Sequence, residues 1–235
     1  MNQPGNFIAC TVCGTNNPQH NLNCANCKSY LRERVVNIDF WGTVWSLFDS
    51  PVSTFKRIIF AEHKNYILFL TIIVSFKLFL NSIFLKNYFY QETEAIDKVF
   101  LNILLFGAAF TLLITGISFL LKIIGKSIDA ELRFKDLYSI QIYSYAPVVL
   151  SFLVLTPVEY AVFGKYWFTF NPSPFFIKTA AAYAMALLEG IMLIWSLALI
   201  GISFYSAAGR KNTAFILGIF AAAAAFSLLL FIPRI

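Results

Sequence analysis

Five stretches of the chain are apolar almost without interruption: Ile67 to Leu85, Val99 to Leu121, Leu137 to Val158, Thr179 to Gly209 and Thr213 to Ile232. Each reaches the roughly 18 residues a helix needs to cross about 30 Å of hydrocarbon. Barrel strands would place a polar residue at every second position, and these runs do not. The pattern therefore predicts five transmembrane helices. The second, third and fifth runs hold no charge, whereas the first contains Lys77 and the fourth Glu189. Pro147 and Pro157 both fall inside the third run and predict a kinked helix. Glu159, just past its end, is expected to reach interfacial water.

Ahead of the first run, residues 38–63 are too charged to cross and too apolar to stay in water. Trp41, Val44, Trp45 and Phe48 recur at helical spacing, flanked by Phe40 and Leu47. Asp49-Ser50-Pro51 breaks and restarts the chain, with Ser50 suited to an N-cap and Pro51 to the first helical position. Val52, Phe55 and Ile59 then form a second stripe opposite Lys56 and Arg57. Two short amphipathic helices are expected. One reading lays them in the membrane interface; the other packs them on the ends of the spans.

Composition agrees with a membrane protein. Of the 235 residues, 59% are hydrophobic, 13% are charged and the mean hydropathy is +0.71, against roughly 45–50% apolar and about 25% charged in soluble domains. A water-soluble enzyme and a disordered chain are both excluded. Twelve Lys and Arg fall on one side of the expected spans and five on the other, Lys77 being counted with neither. Basic loops resist export, so the N-terminus is expected in the cytoplasm and the C-terminus outside. The first residues lack the layout of a cleavable signal peptide. Tyr88, Phe89 and Tyr90 after the first span, and Phe163, Tyr166, Trp167, Phe168, Phe170, Phe175 and Phe176 after the third, read as an outer aromatic belt. A lipid or partner groove is the other reading.

Four cysteines crowd the first 27 residues as two Cys-x-x-Cys pairs, Cys10 with Cys13 and Cys24 with Cys27. Each such pair turns tightly and aims two thiolates at one ion, so the set has the spacing of a structural zinc ribbon. Gly14 suits a turn that needs positive φ, and Asn16, Asn17 and Pro18 read as a loop joining two knuckles. Two disulfides are the competing reading, disfavoured in a reducing compartment. His20 lies between the pairs and reads as a solvated loop residue. Four thiolates leave no open coordination position, so the ion holds a fold rather than catalyses. Zinc with four thiolates carries a net charge of −2, which offsets most of Lys28, Arg32 and Arg34 and argues against nucleic-acid binding.

Lys77 is the eleventh residue of its run and Glu189 the eleventh of the oppositely directed fourth run, so their depths match. An unpaired charge at mid-membrane costs at least about 2.5–3.5 kcal/mol on insertion scales, and the two are expected to pair. The pair either fixes helix register or serves as a gated or substrate-binding charge. Asn81, one turn beyond Lys77, is a candidate partner. Signals for catalysis are missing. Gly125-Lys126-Ser127 lacks the earlier glycine of a phosphate loop, no histidine falls in a span, and no pair of intramembrane carboxylates is evident.

Ser50-Pro51-x-x-Thr54-Phe55, Tyr145-Ala146-Pro147 and Trp195-x-Leu197-x-x-x-Gly201 give the chain its family likeness. From about residue 40 to residue 235 it resembles bacterial members of the Yip family, the Ypt/Rab-interacting protein domain, with an N-terminal zinc ribbon added. That resemblance implies five spans, a cytoplasmic amino end and a short exposed carboxyl end, in a plasma membrane of bacterial inner-membrane type. Eukaryotic relatives are associated with vesicle traffic and small GTPases, but the acidic cytosolic tail they carry is missing here. The resulting expectation is an all-α integral membrane protein with a zinc ribbon in residues 1–34, interfacial helices in 35–65 and a five-span domain in 66–235. Its expected role is a non-enzymatic scaffold or adaptor that meets the lipid bilayer and a protein partner or a second copy of itself. The alternative is a small transporter or channel using Lys77 and Glu189.

Overall fold

The computed structural model describes residues 7–18, 21–32, 35–90, 99–127 and 133–208, with the single positions 218, 220, 224 and 227. The expected fifth span, apart from those four positions, lies outside the described residues, as do His20 and Arg34. Among the described residues, four helices are long and apolar enough to cross a membrane: Ile67–Phe89, Val99–Ile124, Ala146–Phe163 and Thr179–Ala207.

The chain begins with two short antiparallel strands, β1 (Phe7–Ala9) and β2 (Asn16–Pro18), with Phe7 opposite Pro18. Asn16 to Pro18 is thus a strand and not the expected connecting loop. What holds it there is Asn17, fully buried, whose Nδ2 donates to the Thr15 carbonyl at 2.7 Å and whose Oδ1 accepts from the Ala25 backbone N–H at 2.8 Å. A polar residue that reads as loop in sequence is here the bolt between the two cysteine turns.

Helices α1 (Phe40–Asp49) and α2 (Pro51–Phe60) follow, separated at the Ser50-Pro51 break. Asp39 caps α1 by accepting from the Gly42 N–H at 3.1 Å. Ser50 occupies the N-cap position of α2, but its side chain makes no capping bond; its carbonyl instead accepts from the Ser53 and Thr54 hydroxyls, both at 2.9 Å. The long helices α3 (Ile67–Tyr90) and α4 (Val99–Ser127) form the first two spans.

The third span departs from expectation. Leu137 to Val158 is not one crossing: α5 (Phe134–Ser144) stops at Tyr145, and the crossing helix starts at Ala146. That helix is α6 (Ala146–Leu150), a π-helical turn (Ser151–Leu155) and α7 (Thr156–Phe163). Pro157 has no N–H to give and its ring crowds the carbonyl four residues back, so the ladder widens ahead of it. Thr156 N–H reaches back five residues to the Ser151 carbonyl. The expected kink takes the form of this π turn. Two short helices, α8 (Tyr166–Thr169) and α9 (Pro174–Ile177), lead into α10 (Thr179–Ala208).

Helix α5 sits in the middle, packed on α2, α3, α4 and α10. It is buried despite its polar residues because those residues find partners inside the protein: Gln141 donates to the Ser118 hydroxyl at 2.7 Å, and Ser139 and Ser144 donate to carbonyls one turn back. Around it Leu47, Phe55, Phe79, Phe106, Phe110 and Phe204 form one continuous apolar core. A second, smaller cluster closes the opposite end, where Phe84 stacks on Trp167 at 4.6 Å and Phe163 stacks on the same indole at 5.1 Å. Several aromatics expected as a belt are therefore buried in a plug: Phe163, Trp167 and Phe170 are inside, while Phe176, Tyr88 and Phe89 face out.

Candidate metal centre and intramembrane polar cluster

The two Cys-x-x-Cys turns have the same construction. Gly14 N–H donates to the Cys10 carbonyl at 2.9 Å and Lys28 N–H to the Cys24 carbonyl at 3.1 Å. Gly14 and Lys28 both have positive φ, +73° and +61°, a conformation free to glycine and strained for lysine. Cys10 N–H bonds to the Thr15 carbonyl and Cys24 N–H to the Ser29 carbonyl, each at 2.9 Å, which closes each turn. The result brings all four sulfurs within 4.8 Å of one another, with Cys10 to Cys27 and Cys13 to Cys24 at 3.5 Å. A tetrahedral ion bound at about 2.3 Å to each sulfur would space the sulfurs about 3.8 Å apart, so the set fits a metal ion. The same spacing is far above the ~2.05 Å of a disulfide.

The surroundings favour thiolates at Cys10 and Cys13, whereas Cys27 is raised: the Ser29 hydroxyl pulls it down, but burial and the neighbouring Cys13 and Cys10 sulfurs outweigh that pull. The Ser29 hydroxyl lies 3.1 Å from the Cys10 sulfur and 3.0 Å from that of Cys27. Cys10 is lowered below the ordinary thiol range by that hydroxyl first and then by the backbone N–H groups of Cys13 and Val12. Cys13 is brought down to about 6, by the Thr15 hydroxyl and then the Thr15 backbone N–H. Thiolates are what a metal binds. Ser29 and Thr15 were not singled out in the sequence, where the only signal was their place just after the cysteines, and Asn17 was read only as part of a connecting loop.

The cysteine unit is tied to the helices. Arg32 donates to the Phe60 carbonyl at 3.2 Å and lies over the Phe60 ring at 4.4 Å. Just beyond, Glu62 and His63 N–H groups bond to the carbonyls of Val35 and Val36. Of the expected interfacial residues, Trp41 (53% exposed) and Trp45 (65%) face outward, and Phe48 stacks on Trp195 with ring centres 6.1 Å apart. Phe55 turns inward and is fully buried in the bundle core, whereas Lys56 and Arg57 are exposed beside a cleft of about 620 Å³ that Arg32 also lines. Helices α1 and α2 thus pack on the bundle through Val44, Leu47, Phe55 and Ile58 and present Trp and basic residues on the other side.

Sequence reasoning missed a buried ionic joint at this end. Lys64 Nζ lies 3.0 Å from Asp136 Oδ1 and also donates to the Ile58 and Ile59 carbonyls at the end of α2. Arg133 grips both oxygens of Asp136 at 2.7 and 3.1 Å. Burial pulls the Lys64 ammonium down to about 8, against the opposing pull of Asp136. The joint ties the end of α2, the approach to the first span and the start of α5 together. Arg133-x-x-Asp136, charges three apart at a helix start, was the available clue.

Inside the membrane, Lys77 Nζ lies 2.7 Å from Glu189 Oε1 and 2.8 Å from Thr156 Oγ1. Asn81 Nδ2 donates to Glu189 Oε2 at 3.1 Å and Ser151 Oγ to Glu189 Oε1 at 2.5 Å. The structure therefore brings Lys77, Asn81 and Glu189 together, and adds Ser151 and Thr156 from the π turn and its end. Glu159 corrects two expectations. It does not reach interfacial water but is fully buried, with Oε2 3.7 Å from Lys77 Nζ. It also supplies the second intramembrane carboxylate that the sequence did not reveal. Its position follows from the later start of the third crossing, which leaves Glu159 within the helix, and from the π turn, which rotates it onto the first span.

These features define an integral membrane protein: apolar spanning helices joined through a buried polar cluster and preceded by four cysteines able to hold a metal ion. The Yip1 domain family model matches residues 45–232, and the chain belongs to that family. The four cysteines precede the matched region. No curated protein and no solved structure matches the chain.

Proposed function

We propose that the protein is a membrane adaptor: its cysteine unit holds one structural zinc ion in the cytoplasm, and that unit with the outer face of α1 and α2 docks a protein partner on the bilayer. The observation that carries this reading is the convergence of four sulfurs within 4.8 Å on a unit anchored to the bundle by Arg32. A closed four-thiolate set offers no site for substrate, so its contribution is shape. Trp41 and Trp45 beside Lys56 and Arg57 suit the headgroup layer of an anionic leaflet, which fixes the unit close to the surface. The charge bias of the loops supports the cytoplasmic orientation.

The test compares full-length protein in mild detergent with a Cys13→Ser/Cys27→Ser variant whose bundle is checked by thermal unfolding. Partners cross-linked in cells to the wild type should be lost from the variant while the bundle melts unchanged. The same partners on both proteins would refute the adaptor reading, as would a solute flux in liposomes that depends on Lys77.

A further inference from the structure

The adaptor reading makes no use of the buried cluster at the centre of the bundle, and the charge count there does not close. One ammonium, Lys77, faces two carboxyl groups, Glu159 and Glu189, with Lys77 1% and Glu159 0% exposed at the side chain. With all three ionised, a net negative charge would sit in the membrane interior, where no solvent offsets it.

The two carboxyls are not equivalent. Glu189 is held by three donors: Lys77 at 2.7 Å, Ser151 at 2.5 Å and Asn81 at 3.1 Å. Both of its oxygens are thereby used as acceptors. Neither oxygen of Glu159 accepts a hydrogen bond, although both are buried. Both carboxyls nonetheless converge on the same ammonium, Glu189 Oε1 at 2.7 Å and Glu159 Oε2 at 3.7 Å from Lys77 Nζ. Two carboxyls facing one ammonium away from solvent do not both stay ionised, and one proton closes the charge count. Among the described residues, Lys77 on α3 and Glu189 on α10 are the ionisable groups of the cluster around Glu159; the other polar groups are Asn81 on α3, Ser151 on the π turn and Thr156 on α7.

We propose that Lys77, Glu159 and Glu189 form an intramembrane proton-binding site in which Lys77 and Glu189 are a fixed ion pair and Glu159 carries the exchangeable proton. A bound metal cation is the weaker solution to the same charge count, because it would stand beside the Lys77 ammonium 3.7 Å from Glu159. A proton instead neutralises Glu159 itself, whose two oxygens accept no hydrogen bond. On release the O–H bond of Glu159 breaks, its electron pair stays on the carboxylate and the proton passes to water. Glu189, 12% exposed at the side chain, is the least buried of the three. The π turn that brings Ser151 and Thr156 into the cluster is a device that recurs at functional sites in helices.

The test is infrared spectroscopy of the purified full-length chain in lipid nanodiscs, with ¹³C at the glutamate carboxyls. Glu159 and Glu189 are the only glutamates in the described spans. At neutral pH the wild type should show the C=O stretch of one protonated glutamic acid, shifted in D₂O, unchanged when potassium chloride is replaced by sodium chloride and lost at alkaline pH. Glu159→Gln should abolish the band while Lys77→Arg keeps it. Absence of the band in the wild type would overturn the proposal without recourse to any variant. Its persistence in folded Glu159→Gln, or its loss on adding sodium, would do the same.

Discussion

Removing Lys77 or Glu189 tests how the spans are joined. Lys77→Met leaves two buried carboxyls without a cation, and Glu189→Leu leaves a buried ammonium whose remaining ionic partner is Glu159 at 3.7 Å. Breaking a buried ion pair from one side costs about 3–5 kcal/mol. Lys77→Met should fall at the upper end. Glu189→Leu should cost less, because Glu159 is in place to take over the ammonium. The double variant removes both charges and should cost about as much as the worse single one, a coupling on the order of 3 kcal/mol. Unfolding free energy in bicelles, measured by steric trapping, reads all four proteins on one scale. Single-variant losses that simply add, within about 0.5 kcal/mol, would mean that the two residues are independent and that no ion pair joins the spans.

Three further outcomes follow from other parts of the molecule. Ser29→Ala removes the hydroxyl that bridges the sulfurs of Cys10 and Cys27, and metal affinity in a chelator competition should fall roughly 10–100-fold; unchanged affinity would remove Ser29 from the site. Lys64 has a folded value of about 8 against 10.5 in the open chain, so between those values the unfolded state binds more protons and stability should rise with pH. Lys64→Met should lose that rise, measured as the difference between the two melting curves across pH 8 to 10. A Cβ on Gly218 would sit 2.9 Å from Gly201 Cα, a contact between backbones that allows no side chain. Gly218→Val should therefore lower the melting temperature, whereas Gly116→Ala, with open space around it, should leave it near wild type.

The apolar runs made the spans legible because the bilayer demands length and continuity, and those survive in one sequence without any alignment. Ser50-Pro51 marked the α1–α2 boundary for a similar local reason, since proline at a first helical position needs no N–H partner. The Cys-x-x-Cys pairs were readable because their spacing is itself the geometry. What was not legible depended on where one element meets another. Asn17 looks like loop until Ala25 arrives as its donor. Phe55 looks interfacial until the bundle covers it. Glu159 was misplaced because depth was counted along a regular helix beginning at Leu137, whereas the chain breaks at Tyr145 and widens into a π turn before Glu159.

The adaptor role requires the cysteine unit to stand in the cytoplasm as a metal-clamped platform. Its most direct test treats intact cells with an impermeant maleimide and EDTA, with and without permeabilisation. The four cysteines should stay unlabelled in intact cells, and after permeabilisation they should react only once chelator has stripped the metal. Labelling from outside intact cells would contradict the orientation, and full labelling of permeabilised cells without chelator would contradict the metal.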